Sequence, residues 1–94
     1  MMARYYPKWR LAGKTPGGLR SFERVCSRGP REFAARVHEI RRGAEVYFEV
    51  GQLRDDGVLL PRTGQSGHSE SFAEAAEYLD HWLSGACRLT ARKA

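Results

Sequence analysis

The chain has 94 residues, 41% of them hydrophobic and 11% aromatic, enough for one packed domain and too apolar for a disordered segment. Its net charge of +5 conceals a segregation: residues 1–42 hold eleven Lys or Arg against three Glu, residues 43–84 two Arg against eight Asp or Glu, and residues 85–94 three more cations. No apolar run approaches the roughly 20 residues of a membrane-spanning helix, and the opening MMARYYPKWR has no apolar signal core, so a soluble, cytoplasmic protein with no membrane contact is expected.

In chain order, RYYPKWRL (4–11) alternates, with Tyr5, Pro7, Trp9 and Leu11 on one side and Arg4, Tyr6, Lys8 and Arg10 on the other, which predicts a half-buried strand. AGKTPGG (12–18) is a loop by its Gly and Pro. LRSFERVCS (19–27) fits either a short helix or a strand paired back on the first. SRGPREFAARVHEIRRG (27–43) reads as a helix: Pro30 suits its first turn, Phe33, Val37 and Ile40 make a stripe at i, i+4 and i+7, and Gly43 supplies the stop.

AEVYFEVGQL (44–53) is a strand with Val46, Phe48 and Val50 on one side, and RDDG (54–57) is a hairpin turn. VLLPRT (58–63) returns as a strand weakened by Pro61, and GQSGHSES (64–71) is a flexible polar loop. Ser71 with Glu74 forms a capping box for a second helix that buries Phe72, Ala75, Ala76, Leu79, Trp82 and Leu83 and ends at Gly85. CRLTARK (87–93) closes the chain as a strand.

The order β-α-β-β-α-β predicts an α+β fold, a ferredoxin-like two-layer sandwich of two βαβ halves in one domain, 1–94. Tyr5, Leu11, Glu32, Ala34 and Gly43 meet Tyr47, Leu53, Glu74, Ala76 and Gly85 at an offset of 42, in keeping with one unit used twice. If residues 19–27 are a strand, the reading becomes tandem ββα–ββα, which resembles in layout the arm-type DNA-binding domain of phage integrases.

Most chemical motifs fail on inspection. GKT (13–15) lacks the upstream Gly of a phosphate-binding loop, and Pro16 blocks the helix that should follow. GQSGH (64–68) has His68 where a nucleophile elbow needs Gly. His38, His68 and His81 share no ligand spacing, so no metal and no cofactor are expected. Cys26 and Cys87 are too few and too far apart for a disulfide framework and are expected as reduced, partly buried thiols. No catalytic residue emerges, and the chain is expected not to be an enzyme.

The basic segment carries a mechanism. In a 4-1-3-2 sheet the first and last strands are neighbours, which gathers Arg4, Lys8, Arg10, Arg88 and Arg92 around Tyr6. Cations for phosphates plus an aromatic for a base is how an open sheet holds single-stranded nucleic acid. The layout is similar to RNA-recognition motifs, although no signature residues carry over. The alternative is a protein-binding inhibitor or adaptor that acts on a nucleic-acid-processing complex, presenting Glu70, Glu74 and Glu77 as a phosphate mimic. Anti-CRISPR proteins resemble it in size and charge segregation, and thirteen Arg against three Lys fits a GC-rich bacterial or phage source. Pairing of Arg36 or Arg41 with Glu77 or Asp80 would absorb part of the asymmetry within the chain.

Overall fold

The computed structural model describes residues 9–61 and 66–87. They form six strands followed by one helix: β1 (Arg10–Lys14), β2 (Arg20–Arg28), β3 (Arg31–Glu39), β4 (Val46–Leu53), β5 (Leu59–Pro61), β6 (Gly67–Ser69) and α1 (Phe72–Cys87). The sheet is an antiparallel meander in the order β1-β2-β3-β4-β5, with β6 also on β4. The α+β class holds, but neither the ferredoxin-like order nor tandem ββα–ββα describes the chain, because its described helix comes only at the end.

The departure lies in residues 31–39. They were expected as a helix and form β3, hydrogen-bonded to β2 on one side and β4 on the other. Gly29 and Pro30 are the two central residues of a hairpin in which Arg28 pairs with Arg31. Gly29 takes φ +62°, which a first central residue of a type II′ turn requires and glycine adopts without strain. Pro30 therefore closes a turn and opens no helix. Residues 19–27 resolve as β2, the strand alternative.

Alternation then sorts the side chains. On the face toward α1 lie Phe22, Arg24 and Cys26 of β2, Phe33, Ala35 and Val37 of β3, and Val46, Phe48 and Val50 of β4. Phe33, Ala35, Val37, Val46 and Val50 join Ala75, Leu79, Leu83 and Cys87 of the helix in one core. Phe22 and Trp9 pack on Phe72 with ring centroids 4.8 and 5.6 Å apart, and Phe48 packs on Tyr78 at 5.5 Å. The expected core of Phe33, Val37, Val50 and Leu79, with Phe48, Phe72, Trp82 and Trp9 against it, is present. Ile40 is the exception: it follows the end of β3 and is 44% exposed.

The turns at Gly57 and Ser71 match their sequence. Arg54 and Val58 close the RDDG hairpin with Gly57 at φ +85°, and the Glu74 N–H donates to Ser71 Oγ at 3.2 Å. The Glu74 carboxylate does not complete the box, since it accepts from Ser69 Oγ at 2.7 Å. Residues 67–69, expected as loop, are β6, with Tyr47 opposite His68 and Phe48 opposite Gly67. A Cβ at Gly67 would stand 3.3 Å from Phe48 Cζ, so glycine permits this close pairing.

The cysteines also differ from expectation. Cys26 and Cys87 form a disulfide with Cα atoms 6.3 Å apart. Gly85 does not stop α1; the helix runs on to Cys87, which the disulfide holds against β2. The pairing overturns the expected reduced thiols, and disulfides persist in oxidising compartments. Among the described residues no helix is long and apolar enough to cross a membrane.

Candidate nucleic-acid interface

Most of the predicted basic patch, namely Arg4, Tyr6, Lys8, Arg88 and Arg92, lies outside the described residues. Arg10 is described. It stands on β1 opposite Glu23, on the sheet face away from the helix, and donates to Glu23 Oε1 at 3.2 Å. The neighbour of β1 is β2, so the 4-1-3-2 order that placed first and last strands together is not the observed one. Of the acidic set, Glu70 precedes α1, while Glu74 and Glu77 are exposed on its first turns.

Arg10 belongs to a ladder of charges across the open face. Glu23 also accepts from Arg36 Nε at 2.8 Å, and Arg36 Nη2 reaches the Gly57 carbonyl at 3.2 Å. Burial opposes the charge on Glu23, but the hydrogen bonds from Arg36 and Arg10 outweigh it and hold the carboxyl below its ordinary range. Beside this ladder, Ser21 Oγ lies 2.8 Å from His38 Nδ1, and His38 Nε2 lies 3.1 Å from Glu49 Oε2. The Tyr47 ring stacks on His38 at 6.2 Å and meets His68 at 5.4 Å.

A Ser, His and Glu in sequence invite comparison with a nucleophile relay. Here they are cross-strand neighbours on β2, β3 and β4, and their contacts form a polar network across the open face of the sheet. Among the described residues no group of three or more His, Cys, Asp or Glu side chains is placed to hold a metal ion.

Under the helix the charges are also paired, though not as expected. Asp80 accepts from Arg24, and from Trp9 Nε1 at 3.0 Å. Arg36 and Arg41 bond Glu23 and Glu45 instead of the acids of α1. Arg20 donates to Glu39 through its backbone N–H (2.8 Å), Nε (3.1 Å) and Nη2 (2.8 Å), and the Gly43 N–H adds a fourth bond at 3.0 Å. The Arg20 side chain, against the opposing effect of burial, draws the Glu39 carboxyl down to about 2.

Once these pairs are assigned, four cations have no ion-pair partner among the described residues. Lys14 and Arg42 are at one end of the long strands, Arg28 and Arg31 at the other. The second pair borders a groove between the β2–β3 hairpin tip and the last turns of α1. It consists of two depressions of about 410 and 320 Å³ that share Phe33 and Ala86, walled by Pro30 on one side and His81, Trp82 and Gly85 on the other. Trp82 is half-buried, its ring edge-on to Phe33 with centroids 6.1 Å apart. Among the described residues no carboxylate lines this groove, whereas the depression near Arg54 includes Glu32, Asp55 and Asp56, and that near His68 includes Glu45 and Glu70.

Sequence reading missed Arg28, Arg31 and Trp82 as a group because it assigned the first two to a helix start and the third to the core. The signal was RGPR itself: a two-residue turn flanked by two cations presents both at a tip. No protein-family model matches the chain, and no curated protein or solved structure is significantly similar to it.

Proposed function

We propose that the protein is a non-enzymatic binding module that attaches to nucleic acid through arginines, with single strands favoured. The observation that carries this reading is the residue of charge left after internal pairing: Lys14, Arg28, Arg31 and Arg42 are exposed or half-exposed cations without an ion-pair partner among the described residues. They sit at the two ends of β2 and β3, strands of nine residues each, which span roughly 30 Å at about 3.3 Å per residue. A polyanion can meet both ends at once. Arg10 adds a cation on the opposite face of the sheet, its pair with Glu23 being 73% exposed on the arginine side and weakly held.

The test is titration of a labelled oligonucleotide with the purified chain near physiological salt. With about four phosphates neutralised on a single strand, log K against log salt should fall with a slope of about −3. Charge reversal at Arg28 or Arg10 should weaken binding to every sequence alike, because phosphate contacts carry no sequence information. An absence of binding at low salt would end the reading.

A second reading rests on Glu70 and Glu77, exposed and without an ion-pair partner among the described residues at the start of α1. It makes the chain an inhibitor or adaptor that presents this acidic turn to a basic protein. In that case Glu77→Lys abolishes function and Arg28→Glu leaves it intact.

A further inference from the structure

We infer that the groove between the β2–β3 tip and the end of α1 seats one unpaired base of a single-stranded nucleic acid, with Arg28 and Arg31 on the flanking phosphates. This rests on the nucleic-acid reading above and assigns it a site. Three observations converge. Among the described residues, Arg28 and Arg31 border the groove without an ion-pair partner, and no carboxylate lines it. Its floor and inner wall are aromatic, with Phe33 buried and the half-buried Trp82 fixed edge-on against it. Its rim is open at Gly85, where an added Cβ would meet no atom of the described residues within 4 Å.

An aromatic surface beside cations is the combination that holds single strands without reading sequence, since every base has a face to stack and every nucleotide a phosphate. A duplex keeps its bases stacked on one another and offers the groove only its backbone. The disulfide adds preorganisation. Cys26 stands two residues before Arg28 and Cys87 directly after Ala86, so the bond ties the two walls together before any ligand arrives.

A structural role for the same arginines must be separated from this. The last turn of α1 holds no basic residue, and Arg28 and Arg31 face the partial negative charge of that helix end. Such a role would appear in thermal stability and leave oligonucleotide affinity unchanged.

Gly85→Leu separates the two. The position lies inside the helix, faces open space and takes an ordinary helical backbone, so leucine improves helix propensity while filling the groove mouth. Binding of a labelled oligothymidine and of a duplex of equal length would be compared for the wild-type chain, Gly85→Leu, Trp82→Leu and Arg31→Glu, with the melting temperature of each. The expected result is a wild-type preference for the single strand. Gly85→Leu should lose about 5- to 100-fold of single-strand affinity while melting no lower than wild type, with duplex binding little changed. Trp82→Leu should follow it, and Arg31→Glu should weaken both substrates. Wild-type single-strand binding by Gly85→Leu would overturn the groove and leave the broader reading standing. A wild-type chain that binds neither oligonucleotide would overturn both.

Discussion

Arg20 and Glu39 face each other across β2 and β3, joined by three hydrogen bonds from one residue to one carboxylate that is almost wholly buried. The guanidinium is partly exposed and lies 5.3 Å over the Phe22 ring, so the cation bridges solvent and the edge of the core. The Glu39 carboxyl, drawn from an ordinary 4.5 to about 2, makes the fold depend on its ionised form.

Stability should therefore fall in acid. A carboxyl whose folded value lies below its unfolded one contributes fully above the unfolded value and loses that contribution as pH drops toward the folded one. The window runs from about pH 4.5 down to about pH 2, and Glu23, shifted the same way, adds to it. Urea unfolding at pH 7 and pH 3 should show the loss. Glu39→Gln should cost about 1.5–3 kcal/mol at pH 7 and give a flatter acid profile. An unchanged profile would mean that the pair is not formed.

Leu79 and Ile40 test the strand assignment of residues 31–39. Leu79 is fully buried, and Leu79→Ala should cost about 2–5 kcal/mol. Ile40, 44% exposed beyond the end of β3, should tolerate alanine within about 0.5 kcal/mol. Were these residues a helix with Ile40 on its buried stripe, both substitutions would be costly. Chemical denaturation of the two variants decides it.

That segment shows where sequence legibility ends. Phe33 and Val37 are four apart, a spacing that a period of 3.6 and a period of two both satisfy. The residues that discriminate are Ala35, fully buried between them as a strand requires, and Ile40, exposed where a helix would bury it. Alanine is small enough to pass for either side of a helix, so the pattern reads as a helix where the chain forms a strand. Pairing on both edges by β2 and β4 settled it, and no local propensity records that. The second helix was legible because its stripe is wide and its cap is local to Ser71 and Glu74. Of the expected basic patch, Arg10 is described and has Glu23 of β2 as its neighbour, which no pattern within one strand records, because an edge contact depends on strand order.

Gly67 is under a different constraint. Its missing Cβ lets β6 close on the Phe48 ring, which is itself held by Tyr78. Gly67→Val should overpack that contact and cost about 1–3 kcal/mol. Thermal unfolding should show the loss, and an unchanged melting temperature would mean that β6 is not docked on β4.

Reduction should weaken the fold substantially. A cross-link between residues separated by 61 positions contributes about 4 kcal/mol in the chain-entropy account, equivalent to about 15–30 °C in melting temperature for a domain of this size. Calorimetry with and without reductant, or on Cys26→Ser paired with Cys87→Ser, measures it. Equal melting temperatures would show that the thiols are not joined in solution.

The same bond makes residues 26–87 a closed covalent ring, to which residues 1–25 and 88–94 are each joined by a single peptide bond. A single peptide cut anywhere inside the ring, including the hairpin tips and the connection between β5 and β6, opens it without separating anything. The two new ends remain parts of one molecule, held by a bond at the far side of the circle. A protease that nicks the connection leaves a species of unchanged mass on a non-reducing gel, which falls into two fragments once the sulfurs are parted. A cut outside the ring leaves no covalent link across it, and β1 and the start of β2 are then held only by their pairing in the sheet. Covalent protection is thus distributed unevenly along the described residues: β3 to β6 and the helix lie inside the ring, and β1 and most of β2 lie outside it.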